Sequence, residues 1–206
     1  MRFSLRWASF VVVAIFASLA GPAFAASLDD AIAAYKKNDF AGAAAIFTQL
    51  AESGDPQAQH NLGYLYHVGK GLARNDAQAM IWYRKAADQG YAPSQFNVGV
   101  MFEEGQGVRA DADQAIAWYT KAANQNYLTA EQRLADLYIS RRDFANALTW
   151  VRKAADQGDP GEQFNLGSFY FNGWAVPKDV AQARLWYSKA AAQGFEAAAA
   201  VLKKMP

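Results

Sequence analysis

The sequence contains no cysteine, only two histidines and no marked excess of charge of either sign. Without cysteine the chain can form no disulfide and can carry no lipid on a thiol, so its stability must come from packing. Twenty Lys and Arg residues against 19 Asp and Glu residues leave a net charge of +1. Proteins that neutralise nucleic-acid phosphates carry a basic excess, so no nucleic-acid partner is expected.

The residue patterns of common catalytic and metal sites are also missing. His60 and His67 are seven residues apart, which is roughly 10.5 Å along a helix and too far for both to bind one zinc ion. The serine-nucleophile patterns G-x-S-x-G and S-x-x-K do not occur. The Gly-x-Gly steps at Gly69 and Gly105 do not extend to a phosphate-binding loop. We therefore expect no enzyme activity, no metal and no cofactor.

The longest apolar run, from Ala8 to Ala20, is shorter than the roughly 20 residues of a membrane-spanning helix. It follows Arg2 and Arg6 and precedes Ala23-Phe24-Ala25, an arrangement typical of a secretory signal peptide with its cleavage site. We expect residues 1–25 to be removed. The product would be a periplasmic or secreted protein without stable membrane insertion, and a retained membrane helix is the alternative.

The rest of the sequence is dominated by a repeat of about 36 residues. Leu62-Gly63 returns as Val98-Gly99, and the segment from Trp82 to Ala87 returns from Trp118 to Ala123. Periods of about 20 to 50 residues are typical of solenoids, whose units must stack to bury their apolar faces. We expect one domain over residues 26–206, with units at 28–54, 55–90, 91–126, 127–158 and 159–194 and a capping helix at 195–206.

Each unit is predicted to contain two helices, because apolar residues fall at helical spacing twice within it. Gly63 lies inside the first helix, where Gly costs about 1 kcal/mol relative to Ala. The close approach of a neighbouring helix would explain it, and unit 127–158 has Ala135 instead. The tryptophans of the second helices are expected in the core: Trp82, Trp118, Trp150 and Trp186.

Cap residues recur at the predicted helix ends. The predicted N-caps of the second helices are Asp39, Asn75, Asp111, Asp143 and Asp179. A capping box is predicted where Gln stands at the third helical position, at Gln78, Gln114 and Gln182. Left-handed residues are predicted at the C-terminal ends of the second helices: Gly54, Gly90, Asn126, Gly158 and Gly194.

The pattern A-x-x-x-L-G-x-x-Y-x-x-G-x-G, followed by A-x-x-W-Y-x-K-A-A-x-x-G, resembles the Sel-1-like repeat of the tetratricopeptide superfamily. In the first full copy it is carried by Ala58, Leu62, Gly63, Tyr66, Gly69, Gly71, Ala79, Trp82, Tyr83, Lys85, Ala86, Ala87 and Gly90. The resemblance implies an all-α fold, a right-handed α-solenoid of stacked antiparallel helix pairs. Units 28–54 and 127–158 have a shorter loop and look more like ordinary tetratricopeptide repeats.

The resemblance also implies that the first helix of each pair lines a concave surface that holds a protein or peptide partner. Roles as an adaptor or regulator in envelope signalling, secretion or exopolysaccharide control would follow. Two alternatives stay open: a protein that binds or hydrolyses cell-wall material or carbohydrate, and a domain that works only inside an oligomer.

The candidate binding residues are the inward positions that this resemblance implies for the first helices. They are His60, Asn61, Tyr64, Phe96, Asn97, Gln132, Arg133, Asp136, Phe164, Asn165 and Ser168. The recurring Asn could bond an extended peptide backbone, or it could hold a neighbouring loop. Trp174 occupies a loop tip where other units have Lys70 and Gln106, and it could contact a partner or pack over the loop.

Overall fold

A computed structural model describes residues 26–205, and the predicted signal peptide lies outside them. The described chain forms eleven helices. They are α1 (Leu28–Lys36), α2 (Phe40–Glu52), α3 (Pro56–Val68), α4 (Asp76–Asp88), α5 (Ala92–Glu104), α6 (Ala112–Ala123), α7 (Leu128–Ser140), α8 (Phe144–Asp156), α9 (Pro160–Asn172), α10 (Val180–Ala192) and α11 (Glu196–Leu202). Within residues 26–205, no helix is both long and apolar enough to cross a membrane.

The helices pair and stack in chain order. Helices α1 and α2, α3 and α4, and so on to α9 and α10, pack as pairs, and the second helix of each pair packs on the first helix of the next. Helix α11 packs on α10 at the end of the stack. The core therefore runs along the stack as a series of apolar layers. The predicted all-helical solenoid of stacked pairs is confirmed.

The predicted helix caps are largely confirmed. Each of the five predicted N-cap side chains accepts a hydrogen bond from a backbone N–H in its second helix. The residues that end the second helices have positive φ, from 61° at Asn126 to 101° at Gly54. Both Asp55-Pro56 and Asp159-Pro160 open a helix with an N-cap and a proline in the first turn.

The predicted capping boxes at Gln78, Gln114 and Gln182 are wrong. A capping box needs the backbone N–H of the N-cap residue as the donor to the Gln side chain. That N–H instead donates to a carbonyl of the first helix of the same pair. The three bonds are Asn75 to Tyr66 at 2.9 Å, Asp111 to Phe102 at 2.8 Å and Asp179 to Tyr170 at 2.9 Å. The competing acceptor is nine residues away, so the local pattern alone does not reveal it.

The glycine inside the first helix makes room for a tyrosine ring. A Cβ atom at Gly63 would lie 2.9 Å from the ring of Tyr83, on the second helix of the same pair. The equivalent distances are 2.6 Å for Gly99 and Tyr119 and 2.8 Å for Gly167 and Tyr187. The fourth pair, α7 and α8, has Ala135 at this position, and there the smaller Val151 replaces the tyrosine. The predicted close approach is confirmed, and an aromatic ring causes it.

The recurring tryptophans are buried to different degrees. Trp118 is 4 % exposed, whereas Trp82, Trp150 and Trp186 are half-buried at the edge of the core. In three pairs a lysine ammonium covers the ring. The distances from Nζ to the ring centroid are 3.8 Å for Lys85 and Trp82, 3.6 Å for Lys121 and Trp118, and 3.7 Å for Lys189 and Trp186. The predicted core position is therefore confirmed for Trp118 and corrected to a boundary position for the others.

Candidate partner-binding face

The first helices of successive pairs are neighbours, and we call the surface formed by α1, α3, α5, α7 and α9 the first-helix face. Side chains link these helices directly, as in the hydrogen bond of 2.9 Å between His60 Nδ1 on α3 and Ser94 Oγ on α5. Three clefts lie along the face, between α1 and α3, between α3 and α5, and between α5 and α7. Their volumes are about 160, 190 and 350 Å³.

Tyr64 lines both of the first two clefts. Its side chain is 38 % exposed, which is high for a large aromatic residue. The first cleft is lined by Ile32, Tyr35, Phe47, Asn61, Tyr64 and Leu65. The second is lined by Tyr64, His67, Tyr83, Asn97, Val100, Met101 and Gln106. Each cleft therefore combines apolar and aromatic walls with an Asn at the same repeat position, and binding sites are typically built from such mixtures.

Three of the predicted binding residues, His60, Phe96 and Phe164, join consecutive units through aromatic contacts. Each packs on a tyrosine of its own pair and on the aromatic residue that begins the next unit. The centroid distances are 5.4 and 5.3 Å from His60 to Tyr83 and Tyr91, 5.3 and 5.7 Å from Phe96 to Tyr119 and Tyr127, and 5.2 and 5.4 Å from Phe164 to Tyr187 and Phe195. Burial lowers the pKa of His60 to about 4, so its ring is neutral at neutral pH. These three residues have a packing role, whatever they contribute to binding.

The recurring asparagines bond to helices. Asn61 Nδ2 donates to the Gln57 carbonyl one turn earlier at 2.9 Å. Asn165 Nδ2 donates to the Glu162 carboxylate at 3.2 Å. Asn97 hydrogen-bonds to Tyr83, whose pKa is raised by burial and lowered again in part by this bond. None of these three bonds runs to a neighbouring loop, so they give no support to the loop-holding alternative, and a role in binding stays a prediction.

An ion pair crosses the middle of the face. Arg133 of α7 donates to both carboxylate oxygens of Glu103 on α5, at 3.0 and 2.7 Å. The Tyr119 hydroxyl donates to the same carboxylate at 2.7 Å. This bidentate pair links α5 to α7, so the predicted binding residue Arg133 already has a partner within the chain.

The remaining predicted residues lie in the C-terminal part of the face. Gln132 donates to Asp159 at 2.8 Å, and Ser168 donates to the Phe164 carbonyl at 3.1 Å. Asp136 lines the third cleft, where partial desolvation of its carboxyl group raises its pKa and the charge of Arg133 opposes the shift. This part of the face is therefore more polar and more acidic than the part around Tyr64.

Trp174 packs over the preceding unit. Its ring is stacked on Phe144 at 4.8 Å with an interplanar angle of 6°, and it meets the edge of Phe169 at 5.7 Å. At the same loop position, Lys70 Nζ lies 4.8 Å from the ring centroid of Phe40, which begins α2 as Phe144 begins α8. The packing role is thus present, and because Trp174 is still 37 % exposed, a contact with a partner stays a prediction.

A buried glutamine network that we did not predict joins each unit to the next. Gln59 Nε2 donates to the Ala51 carbonyl at 3.1 Å, and Gln89 Nε2 donates to Gln59 Oε1 at 2.8 Å. The same two bonds are made by Gln95 with Gln125 and by Gln163 with Gln193. The signal was present in the sequence, because both glutamines recur with the repeat.

The fourth pair, α7 and α8, replaces this glutamine by Glu131, which is fully buried and as a carboxylate cannot donate to the Ala123 carbonyl. Lys153 donates to that carbonyl instead, and its Nζ lies 3.2 Å from Glu131 Oε1. Gln157 donates to the other carboxylate oxygen. Burial raises the pKa of Glu131, and the bonds from Lys153 and Gln157 oppose that shift. In this unit, the ion pair of Lys153 and Glu131 therefore replaces the hydrogen bond from a glutamine amide to the carbonyl.

Within residues 26–205, no group of three or more His, Cys, Asp or Glu side chains could hold a metal ion. A general acid must reach the reacting atom at hydrogen-bond distance. Of the carboxyl groups on the face, Glu103 is held by Arg133 and Tyr119, and Glu162 is 5 % exposed.

A stack of helix pairs with a long face of small clefts defines a repeat scaffold, a class of protein that works by holding partners. A family model, the Sel1 repeat, matches residues 56–91, 92–127, 132–159 and 163–195. The chain belongs to the Sel1 repeat family. The first helix pair, α1 and α2, lies outside the matched ranges. Sel1 repeat proteins generally act as protein–protein interaction scaffolds, on a fold that is not catalytic.

Solved structures and a curated protein show the same fold or sequence pattern. A Sel1 repeat protein from Oxalobacter formigenes is 34% identical with a TM-score of 0.80, over 85% of this chain and 74% of that one. A protective antigen of uropathogenic Escherichia coli strains with an SLR fold is 33% identical with a TM-score of 0.76, over 84% of this chain and 40% of the antigen. The ERAD-associated E3 ubiquitin-protein ligase component HRD3B of Arabidopsis thaliana is 27% identical over 144 residues, 67% of this chain but 17% of the plant protein.

Proposed function

We propose that the protein is an exported scaffold that binds an extended segment of a partner protein in the two clefts beside Tyr64. The observation that carries the proposal is the position of this half-exposed aromatic ring between two adjacent clefts of the first-helix face. A role as an adaptor or regulator in envelope signalling, secretion or exopolysaccharide control fits such a scaffold.

The size and spacing of the clefts favour a peptide over a small molecule. At about 160 and 190 Å³, each is smaller than the roughly 300 Å³ at which small-molecule sites begin. Each is suited to a single side chain. Alternate side chains of an extended chain are about 7 Å apart, and packed helices are about 8–10 Å apart. An extended segment in the polyproline II conformation, whose same-side residues recur every three residues or about 9 Å, therefore matches successive clefts better than a flat β-strand does.

The polar groups of the two clefts suit a peptide backbone. Asn61 and Asn97 occupy equivalent positions in the first and second cleft. An amide side chain offers both a donor and an acceptor, which matches the N–H and C=O groups of an extended chain. Exposed Tyr64 between them supplies the large, stiff contact area that interface hot spots favour.

Export is the part of the proposal that rests on the sequence alone. Arg2 and Arg6, the apolar run from Ala8 to Ala20 and the site Ala23-Phe24-Ala25 support it. All of these residues lie outside the described part of the structure. In a periplasmic or extracellular location, a partner would be another exported or envelope protein.

Site-specific photo-crosslinking in cells of the source organism tests the proposal. A photoreactive amino acid is placed at Tyr64, and a control is placed at Leu185, which is 48 % exposed on the second helix α10. We expect one discrete crosslinked protein from position 64 and none from position 185. The same product from both positions, or a product from position 185 alone, would contradict the proposed site.

Crosslinking and a polysaccharide-binding assay together separate the competing hypotheses. A product with twice the mass of the chain from position 64 would show that the face binds a second copy, as the oligomer hypothesis requires. Retention on purified cell-wall polysaccharide that is lost in Tyr64→Ala would favour the carbohydrate hypothesis.

A further inference from the structure

The junction between the fourth and fifth helix pairs, α7–α8 and α9–α10, is built differently from its neighbours. Where other pairs carry His60, Phe96 or Phe164, the fourth pair carries Gln132. The next unit begins with Asp159, whereas α5 and α7 follow an aromatic residue. Gln132 donates to Asp159 at 2.8 Å. Between the first helices α7 and α9, this polar bond therefore replaces the aromatic cluster found elsewhere, while the stack of Trp174 on Phe144 still joins the same two units.

A carboxyl group is buried at this junction. Glu162 of α9 is 5 % exposed, at a repeat position held by Ala58, Ser94 and Ala130 in the other full units. Burial raises the pKa of Glu162 to about 7, the hydrogen bond from Asn165 opposes the shift, and the charges of Asp136 and Asp159 add to it.

The charges that act on Glu162 come from two elements. Asp136 lies on α7, and Asp159 is the N-cap of α9 itself. Cations of the flanking helices are engaged with other groups: Arg133 of α7 with Glu103, Lys153 of α8 with the buried Glu131, and Arg152 of α8 with the Tyr170 hydroxyl. On α10, Lys189 lies over the ring of Trp186. The favourable influences on an ionised Glu162 are the hydrogen bond from Asn165 and the positive end of the α9 dipole.

We propose that this junction is a pH-responsive hinge, in which ionisation of Glu162 beside Asp136 and Asp159 opens the step between α7 and α9. The step is the one place in the four full units where a buried carboxyl group and a missing aromatic cluster coincide. Opening it changes the shape of the C-terminal half of the first-helix face. The device acts on the scaffold itself and does not depend on which partner binds beside Tyr64.

The direction of the effect follows from proton linkage. In the unfolded chain the Glu162 carboxyl has its ordinary pKa of 4.5, and in the folded chain it has a pKa of about 7. Between these two values the folded protein binds more protons than the unfolded chain, so stability falls as the pH rises through this window. Below the window the hinge is closed, and above it the hinge is loosened.

Distance measurements on spin-labelled protein test the hinge, and the absence of native cysteine makes the labelling specific. The pair Ser140→Cys and Asn172→Cys places labels at the exposed C-terminal ends of α7 and α9. The pair Val68→Cys and Glu104→Cys places them at the equivalent ends of α3 and α5 and is the matched control.

We expect the α7–α9 distance to lengthen between pH 5 and pH 8, with a midpoint near 7, while the α3–α5 distance stays constant. Glu162→Gln, which is neutral at both values, should hold the α7–α9 distance at its low-pH value. Glu162→Ala serves the same purpose if the amide variant does not fold, because alanine occupies this position in two other units. An α7–α9 distance that ignores pH, or a change that persists in these variants or appears equally in the control pair, would overturn the proposal.

Discussion

Individual side chains in this repeat are matched in pairs across the two helices of a unit or across neighbouring units. Tyr83 fits because residue 63 is glycine, and Ala135 is tolerated because residue 151 is valine. Glu131 can stand in the place of a glutamine because Lys153 supplies the donor that the carboxylate lacks. The effect of a substitution therefore depends on its partner more than on its own chemistry.

Gly63→Ala should destabilise the protein although alanine is the better helix former by about 1 kcal/mol. The new Cβ would lie 2.9 Å from the Tyr83 ring, and overpacking of this kind costs about 1–3 kcal/mol. In the Tyr83→Val background the same substitution should stabilise the protein, since Ala135 and Val151 coexist naturally. Urea titrations of the four variants measure the coupling, and equal effects of Gly63→Ala in both backgrounds would refute it.

Glu131→Gln should leave stability within about 1 kcal/mol of the natural protein, because the amide can donate to the Ala123 carbonyl as Gln59 does to Ala51. Glu131→Ala should cost about 1–3 kcal/mol, because it leaves Gln157 and Lys153 without their buried acceptor. Thermal denaturation monitored by circular dichroism separates the two variants. A glutamine variant as unstable as the alanine variant would show that the ion pair has a role the amide cannot fill.

At the scale of helices and loops, the connection between the two helices of a unit also joins that unit to the one before. Gly71 lies so close to α2 that a Cβ there would be 2.1 Å from the Phe40 carbonyl oxygen. The last long loop has Ala175 at this position, with a φ of 55°, and carries Trp174 stacked on Phe144. In this loop, the stack of Trp174 on Phe144 is present where the earlier loop packs Gly71 against the backbone of Phe40. Ala175 nevertheless keeps a left-handed backbone conformation that favours glycine.

Ala175→Gly should therefore stabilise the protein by about 1 kcal/mol, since a left-handed conformation costs a non-glycine residue about 1–2 kcal/mol. Gly71→Ala is the matched control and should destabilise it, because its Cβ would collide with the Phe40 backbone. Differential scanning calorimetry of the two variants gives the comparison. A lower melting temperature for Ala175→Gly would mean that the Ala175 methyl group contributes packing that outweighs its backbone strain.

At the scale of the whole molecule, the architecture could be predicted because every unit repeats the same helical periodicity and the same caps. What the repeat pattern did not predict are contacts between elements. The capping box at Gln78 fails because Tyr66 supplies a competing acceptor. The ring of Phe96 lies between units because Tyr127 begins the next one. The glutamine network was visible as a recurrence at Gln59, yet its buried bonds become apparent only when the units are stacked.

In the candidate site, too, the sequence predicted the positions of residues but not the contacts between them. The resemblance placed the binding residues on the first helices, but it did not show which of them bond to each other. Arg133 is engaged with Glu103, and Phe164 packs between units, whereas Tyr64 stays exposed between two clefts. Relative exposure depends on neighbours from other repeats, which a single unit of sequence does not specify.

The proposed export predicts where the mature chain begins. Protein purified from the periplasm or the medium should begin at Ala26, because Ala23-Phe24-Ala25 is the one well-placed small-residue site after the apolar run. N-terminal sequencing provides the measurement. A membrane-embedded product with Met1 intact would contradict both the processing and the proposed location.

The most direct test of the central claim is the affinity of the chain for the partner segment that crosslinking identifies, measured by isothermal titration calorimetry. Tyr64→Ala should weaken binding by at least about tenfold, or about 1.4 kcal/mol, with only a small fall in the melting temperature, because Tyr64 is 38 % exposed and loses mainly its edge contact with Tyr35. Leu185→Ala, which removes a similarly exposed side chain from α10, should leave the affinity unchanged. Unchanged affinity in Tyr64→Ala together with a loss in Leu185→Ala would place the binding surface on the second helices and contradict the account.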